Sequence, residues 1–151
     1  MPELPEVETV TQSVKKHLID KTFDSIVVNW DKTLHNFTVS DFNDKVKGFK
    51  IFNVYRRAKY IIIDLKESII AVHLRMTGKL YASNSIDSSK KHISVYLKFG
   101  DRYLIFEDVR KFGRFYMFDN MDYLNSKLGI EPLTEDFSNS WTFYQKSELP
   151  L

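Results

Sequence analysis

The chain has 151 residues, of which 43% are hydrophobic and 15% aromatic; that fits one domain with a packed core and excludes a disordered chain. Its 22 basic and 20 acidic side chains leave a formal net charge of only +2, so any affinity for nucleic acid has to be read from local clusters. There is no cysteine, which excludes disulfides and thiolate metal sites. No apolar run reaches the ~20 residues of a membrane span, and no basic-then-apolar start marks a signal peptide, so a soluble intracellular protein is expected.

Val7, Val10, Val14 and Leu18 recur at helical spacing and predict a helix over Pro5–Leu18 with one apolar face. Pro5 suits the first turn, where its missing N–H costs nothing. Glu6 and Glu8 lie at the end where the helix dipole favours acids, and Lys15, Lys16 and His17 where it favours bases. Seven strands are then expected at Phe23–Asn29, Phe49–Tyr55, Tyr60–Leu65, Ile69–Leu74, His92–Phe99, Tyr103–Glu107 and Arg114–Phe118. Short helices are expected at Asp41–Val46 and Met121–Leu128, and a polar loop at Asn84–Lys91. Short strands on short connections predict an α+β, mainly β chain folded as an antiparallel sandwich or barrel. From Glu131 the periodicity decays, and Trp141, Phe143 and Tyr144 read either as packing back on a sheet or as part of a linker.

Three stretches invite a chemical reading. The first is MPELPEVETV. With Met1 removed, Pro2 carries a free amine. A terminal α-amine titrates near ~7.7–8.0, against ~10.4 for lysine, so far more of it is neutral at physiological pH and able to attack an electrophilic carbon. Glu3 is adjacent and Glu6 one turn on, as proton-transfer candidates or as plain helix-start acids. The second is YRRAKY, where Arg56, Arg57 and Lys59 put three cations on an expected hairpin turn, either solvated or binding phosphate. The third is the pair HLRMTG (His73–Gly78) and DVRKFGRF (Asp108–Phe115), each placing a large apolar side chain beside a cation and a glycine. Met76 and Phe112 read either as core or as wedges that unstack bases.

Together PELPEVET, RRAKY, HLRMTG, DVRKFG and LGIEPL (Leu128–Leu133) resemble the N-terminal domain of the formamidopyrimidine-DNA glycosylase family, bacterial base-excision repair enzymes related to endonuclease VIII. The resemblance runs from residue 2 to about 146. It implies a two-sheet antiparallel β-sandwich over residues 1–133 and an interdomain tail over 134–151. The family's helix–two-turn–helix and zinc-ribbon domains would be absent, so no cofactor is expected in this chain, although the full-length family enzyme carries one structural zinc. The implied partner is damaged double-stranded DNA bound by a monomer in the bacterial cytoplasm, and the implied substrates are 8-oxoguanine and formamidopyrimidines.

By the same resemblance Pro2 would be the nucleophile at C1′ of the damaged nucleotide, forming a Schiff base before β- and δ-elimination. Glu3 would protonate the sugar, Lys59 would assist elimination, and Glu6 would line the pocket for the flipped base. Arg56, Arg57, His73 and Arg110 would contact DNA; Met76, Arg110 and Phe112 would fill the vacated stack. Two departures stand out. Ser94 in KHISV replaces a second histidine typical of the family, and the tail lacks the family's lysine-rich stretch. If Met1 is retained, the Pro2 nitrogen is an amide and cannot form an iminium. The competing readings are, from another class, a non-catalytic damage-binding module that keeps only the wedges and, third, an unrelated β-sandwich with a charged helix start.

Overall fold

The computed structural model describes residues 3–129. Pro2 and everything after Gly129, including the expected boundary after Leu133 and the aromatic tail, lie outside the described residues. The described residues divide between Asn120 and Met121 into two compact units. Of the second, the described part is helix α3 (Asp122–Leu128), closed by a Gly129 N–H bond to the Asn125 carbonyl at 2.9 Å.

The first unit opens with α1 (Leu4–Leu18), followed by β1 (Ser25–Val28), a short 3-10 turn (Asp31–Thr33) and α2 (Val39–Lys45). Seven strands complete it: β2 (Asn53–Arg57), β3 (Tyr60–Asp64), β4 (Ile69–His73), β5 (Gly78–Ser83), β6 (Ile93–Phe99), β7 (Arg102–Asp108) and β8 (Arg114–Phe118). They form two antiparallel four-stranded sheets, ordered β1-β6-β7-β5 and β2-β3-β4-β8. The α+β, mainly β sandwich expected from the sequence is therefore present.

The alternation of side chains builds one core between the sheets. Ile26, Leu80, Val95, Leu97, Phe99, Leu104 and Phe106 come from the first sheet; Val54, Ile61, Ile63, Ile70, Val72, Phe115 and Met117 come from the second. Phe106 meets Phe115 edge-on, with ring centroids 5.3 Å apart. Each such ring contributes about 1.5–3 kcal/mol through burial. The central strands β3 and β4 are buried on both faces, which is why they read as continuous apolar runs.

Several boundaries differ from expectation for identifiable reasons. Helix α1 buries Val7, Thr11, Val14 and Leu18, while Val10 is half-buried. Thr11 takes a core place because its hydroxyl donates to the Val7 carbonyl at 2.7 Å, which removes the cost of burying it. Helix α2 starts two residues early, at Val39, because Thr38 and Asp41 cap one another. Strand β2 starts at Asn53 rather than Phe49; Phe49 and Phe52 are exposed, and Phe52 lies under the Lys66 ammonium at 4.3 Å. Strand β5 was not expected at all. It is an edge strand with one large buried apolar side chain, Leu80, and is held by its ladder to β7 rather than by an apolar pattern. Strand β6 bulges between Ile93 and Val95. Ser94 sits there, 2% exposed, with its carbonyl accepting the Asn29 and Trp30 N–H groups.

Candidate functional site

The N-terminus of α1 opens onto a cleft of about 540 Å³. Glu6 and Val10 line one side, Leu74 and Met76 another, and Leu80 and Tyr81 of β5 the third. Glu3 is the N-cap, and its N–H donates to Oε1 of Glu6 at 2.8 Å. Glu6 thus does two things: it satisfies an orphan donor at the helix start and it walls the cleft. Glu3 and Glu6 are both exposed, so neither carboxylate is sealed in the core.

The β2–β3 hairpin turns on Ala58 and Lys59 alone, since Arg57 already pairs with Tyr60. Arg56 and Arg57 are therefore strand residues, not turn residues as the sequence suggested. Arg56 is held from two sides: its Nε lies 3.0 Å from Oε1 of Glu8 on α1, and its Nη1 donates to the Ala58 carbonyl at 2.9 Å. The geometry gives Arg56 a supporting role that ties the hairpin carrying Lys59 to the helix whose start carries Glu3. His73 stacks edge-on against Tyr60 at 4.9 Å, and its Nδ1 accepts the Arg75 N–H at 3.1 Å. The neutral ring therefore keeps its proton on Nε2, the tautomer that donates there.

Met76 on the β4–β5 connection and Phe112 on the β7–β8 connection are 46% and 45% exposed. That settles the choice between core and surface: both project outward. The Arg110 guanidinium lies 5.4 Å from the centroid of the Phe112 ring. Val109 beside them is also exposed. A backbone feature recurs here. Ala58, Arg75 and Lys111 adopt positive φ of 53°, 59° and 60°, and each directly precedes Lys59, Met76 or Phe112. Left-handed geometry in a non-glycine residue costs on the order of 1 kcal/mol, a strain that concentrates at functional sites.

The two glycines of the paired motifs share one neighbour. A Cβ on Gly78 would meet the Leu74 carbonyl oxygen at 2.5 Å and the Phe106 ring at 2.9 Å, and one on Gly113 would overlap the Phe106 Cζ. Each glycine is there so that its loop can close down on the Phe106 ring.

Sequence reasoning passed over a polar group on the cleft side. Tyr81 donates to Oε1 of Glu107 at 2.7 Å, and Lys90 lies 3.4 Å from the same oxygen. Burial, then the bond to Glu107, pushes the Tyr81 phenol up to about 12, and the Tyr81 bond holds Glu107 below its usual range. Because the Tyr81 pKa is raised on folding, its contribution to stability is full below about pH 10 and is lost as pH climbs towards about 12. Glu107 contributes above its usual 4.5 and loses that contribution as pH falls below it. Ultraviolet titration of the tyrosines is expected to show a late-ionising phenol that Tyr81→Phe removes; superimposable curves would contradict this.

Among the described residues no group of three or more His, Cys, Asp or Glu is placed to hold a metal ion, and no helix is long and apolar enough to cross a membrane.

Residues 1–115 match the family model for the formamidopyrimidine-DNA glycosylase N-terminal domain, and the chain belongs to that family. Formamidopyrimidine-DNA glycosylase of Desulfitobacterium hafniense is 37% identical over 144 residues, covering 91% of this chain and 52% of that protein. The protein of the same name from Protochlamydia amoebophila is 41% identical over 142 residues, covering 91% and 51%. Lactococcus lactis FPG (MutM), solved with a FAPY-dG-containing DNA, superposes with a TM-score of 0.76 at 31% identity, covering 83% of this chain and 48% of that one. The same protein solved with abasic-site DNA gives 0.77 at 30% identity, covering 84% and 47%. The chain thus spans about half the length of these relatives.

Proposed function

We propose that this chain is the catalytic and wedge half of a bifunctional DNA glycosylase/AP lyase that removes oxidised purines, 8-oxoguanine and formamidopyrimidines, from double-stranded DNA. The observation that carries the reading is the double engagement of Glu6: it lines the same cleft as Met76 and bonds the N–H of Glu3, the residue that follows Pro2. Glu3, the neighbour of Pro2 in sequence, is thereby tied to the wall of a cleft that Met76 also borders.

In this mechanism the neutral Pro2 amine attacks C1′ while Glu3 delivers a proton to the sugar ring oxygen. The C1′–N bond to the base breaks, the base leaves with the proton that the attacking amine gives up, and the opened sugar is held as an iminium. Lys59 on the hairpin lies beside the scissile phosphate and assists elimination. Arg57, His73 and Arg110 bind the backbone, and Met76, Arg110 and Phe112 occupy the stack, offsetting part of the few kcal/mol that base flipping costs. Arg56 aids DNA binding through the hairpin it braces. An amine and proton transfers supply this chemistry, so the chain is proposed to need no cofactor of its own, to act as a monomer on DNA, and to work in the cytoplasm.

Strand cleavage of an 8-oxoguanine duplex tests the reading. The chain freed of Met1 is expected to bind the lesion duplex in preference to an intact one and to cleave it weakly, as a chain that spans about half the length of the relatives it matches. Lesion-preferring binding with no cleavage would instead establish a non-catalytic damage-binding module; absence of any preference would refute both.

A further inference from the structure

We propose that Asp108 and Thr77 are positioning residues that lock the two wedge-bearing loops into one unit, so that Met76 and Phe112 enter a base stack together. The inference rests on the reading of those two side chains as wedges. Asp108 ends β7 and is fully buried. Its Oδ1 accepts the Thr77 hydroxyl at 2.6 Å and the Arg110 N–H at 3.2 Å, and its Oδ2 accepts the Gly113 N–H at 2.7 Å. The Thr77 Oγ1 in turn accepts the Arg110 N–H at 3.2 Å. Asp108 is itself anchored, its N–H donating to the His92 carbonyl at 2.8 Å.

The sequence positions give these bonds their meaning. Thr77 follows Met76, and Gly113 follows Phe112. One carboxylate therefore holds the residue next to each wedge, and it reaches the first of them, Thr77, across 31 positions of the chain. A carboxylate that merely capped its own turn would need only the Arg110 and Gly113 amides; the short, charge-assisted bond to Thr77 reaches across to the other loop. The shared Phe106 ring beneath Gly78 and Gly113 supplies a floor for both. Two wedges on independent loops would each have to be ordered on binding; locked together, they are ordered in advance.

Amide exchange in the free chain tests the lock without DNA. Thr77→Val keeps the shape and removes the bond, and is expected to speed exchange of the Gly113 and Arg110 amides, which lie on the opposite loop, about tenfold or more. Thr77→Ser restores protection. Binding then tests the consequence: Thr77→Val lowers the preference for a duplex carrying a tetrahydrofuran abasic analogue by about tenfold and leaves affinity for intact duplex unchanged. In wild type, Met76→Ala and Phe112→Ala have non-additive effects on that preference; in the Thr77→Val background they add. Unchanged exchange, or additive effects in the wild type, overturns the lock. A wild type with changed exchange in Thr77→Val but no lesion preference overturns the functional reading, and wedge positioning with it.

Discussion

Gly113→Ala is expected to lower the melting temperature by about 2–12 °C and to disorder the β7–β8 connection. The added methyl has no space: it would overlap the Phe106 Cζ and reach Oδ2 of Asp108 at 2.9 Å. Neither neighbour yields cheaply. Phe106 is 1% exposed and already packed on Phe115, while Asp108 is fixed by its bonds to Thr77, Arg110 and Gly113 itself. Overpacking of this kind costs about 1–3 kcal/mol, and in a domain of this size each kcal/mol moves the melting temperature by roughly 2–4 °C. Calorimetry on wild type and variant checks it. A variant that melts within about a degree of wild type would mean that the ring moves freely and that the glycine has another purpose.

Phe112→Ala separates wedge from core. At 45% exposure the ring contributes little to folding, so the melting temperature is expected to stay close to that of wild type. Its truncation is expected to weaken binding to an abasic-analogue duplex by about 5- to 150-fold, the equivalent of about 1–3 kcal/mol of lost stacking. Affinity for intact duplex should barely change, because no gap in the stack is there to fill. Phe115→Ala gives the opposite profile, since Phe115 is fully buried: a loss of about 3–5 kcal/mol of stability. Fluorescence anisotropy with the two duplexes decides it. Equal losses on both would make Phe112 a general DNA contact and not a wedge.

What the sequence made legible was periodic or local. The spacing of Val7, Val14 and Leu18 reported α1, and the apolar runs of β3 and β4 reported the centre of the second sheet, because burial imposes those patterns directly. Strand β5 escaped because backbone pairing to β7 sustains it with Leu80 as its one large buried side chain. Arg56 was read as a turn cation; its partner Glu8 lies 48 residues away, and no local signal announces such a pair. Asp108 was visible inside DVRKFG, yet its bond to Thr77 spans 31 positions and exists only once β5 and β7 are side by side. The left-handed backbone at Ala58, Arg75 and Lys111 was hidden for a simpler reason: none of them is a glycine. Glu6 had two readings, helix start and pocket wall; its carboxylate accepts the Glu3 N–H at the helix start and also lines a cleft, so one does not exclude the other.

The central claim is that the reacting atom is the Pro2 nitrogen, and borohydride trapping with mass mapping of the adduct tests it most directly. With Met1 removed, the chain incubated with abasic DNA and borohydride is expected to yield a covalent complex whose adduct maps to the N-terminal peptide at Pro2. The same chain retaining Met1, whose Pro2 nitrogen is an amide, is expected to yield none. An adduct on Lys59, or equal trapping with Met1 in place, would contradict the account.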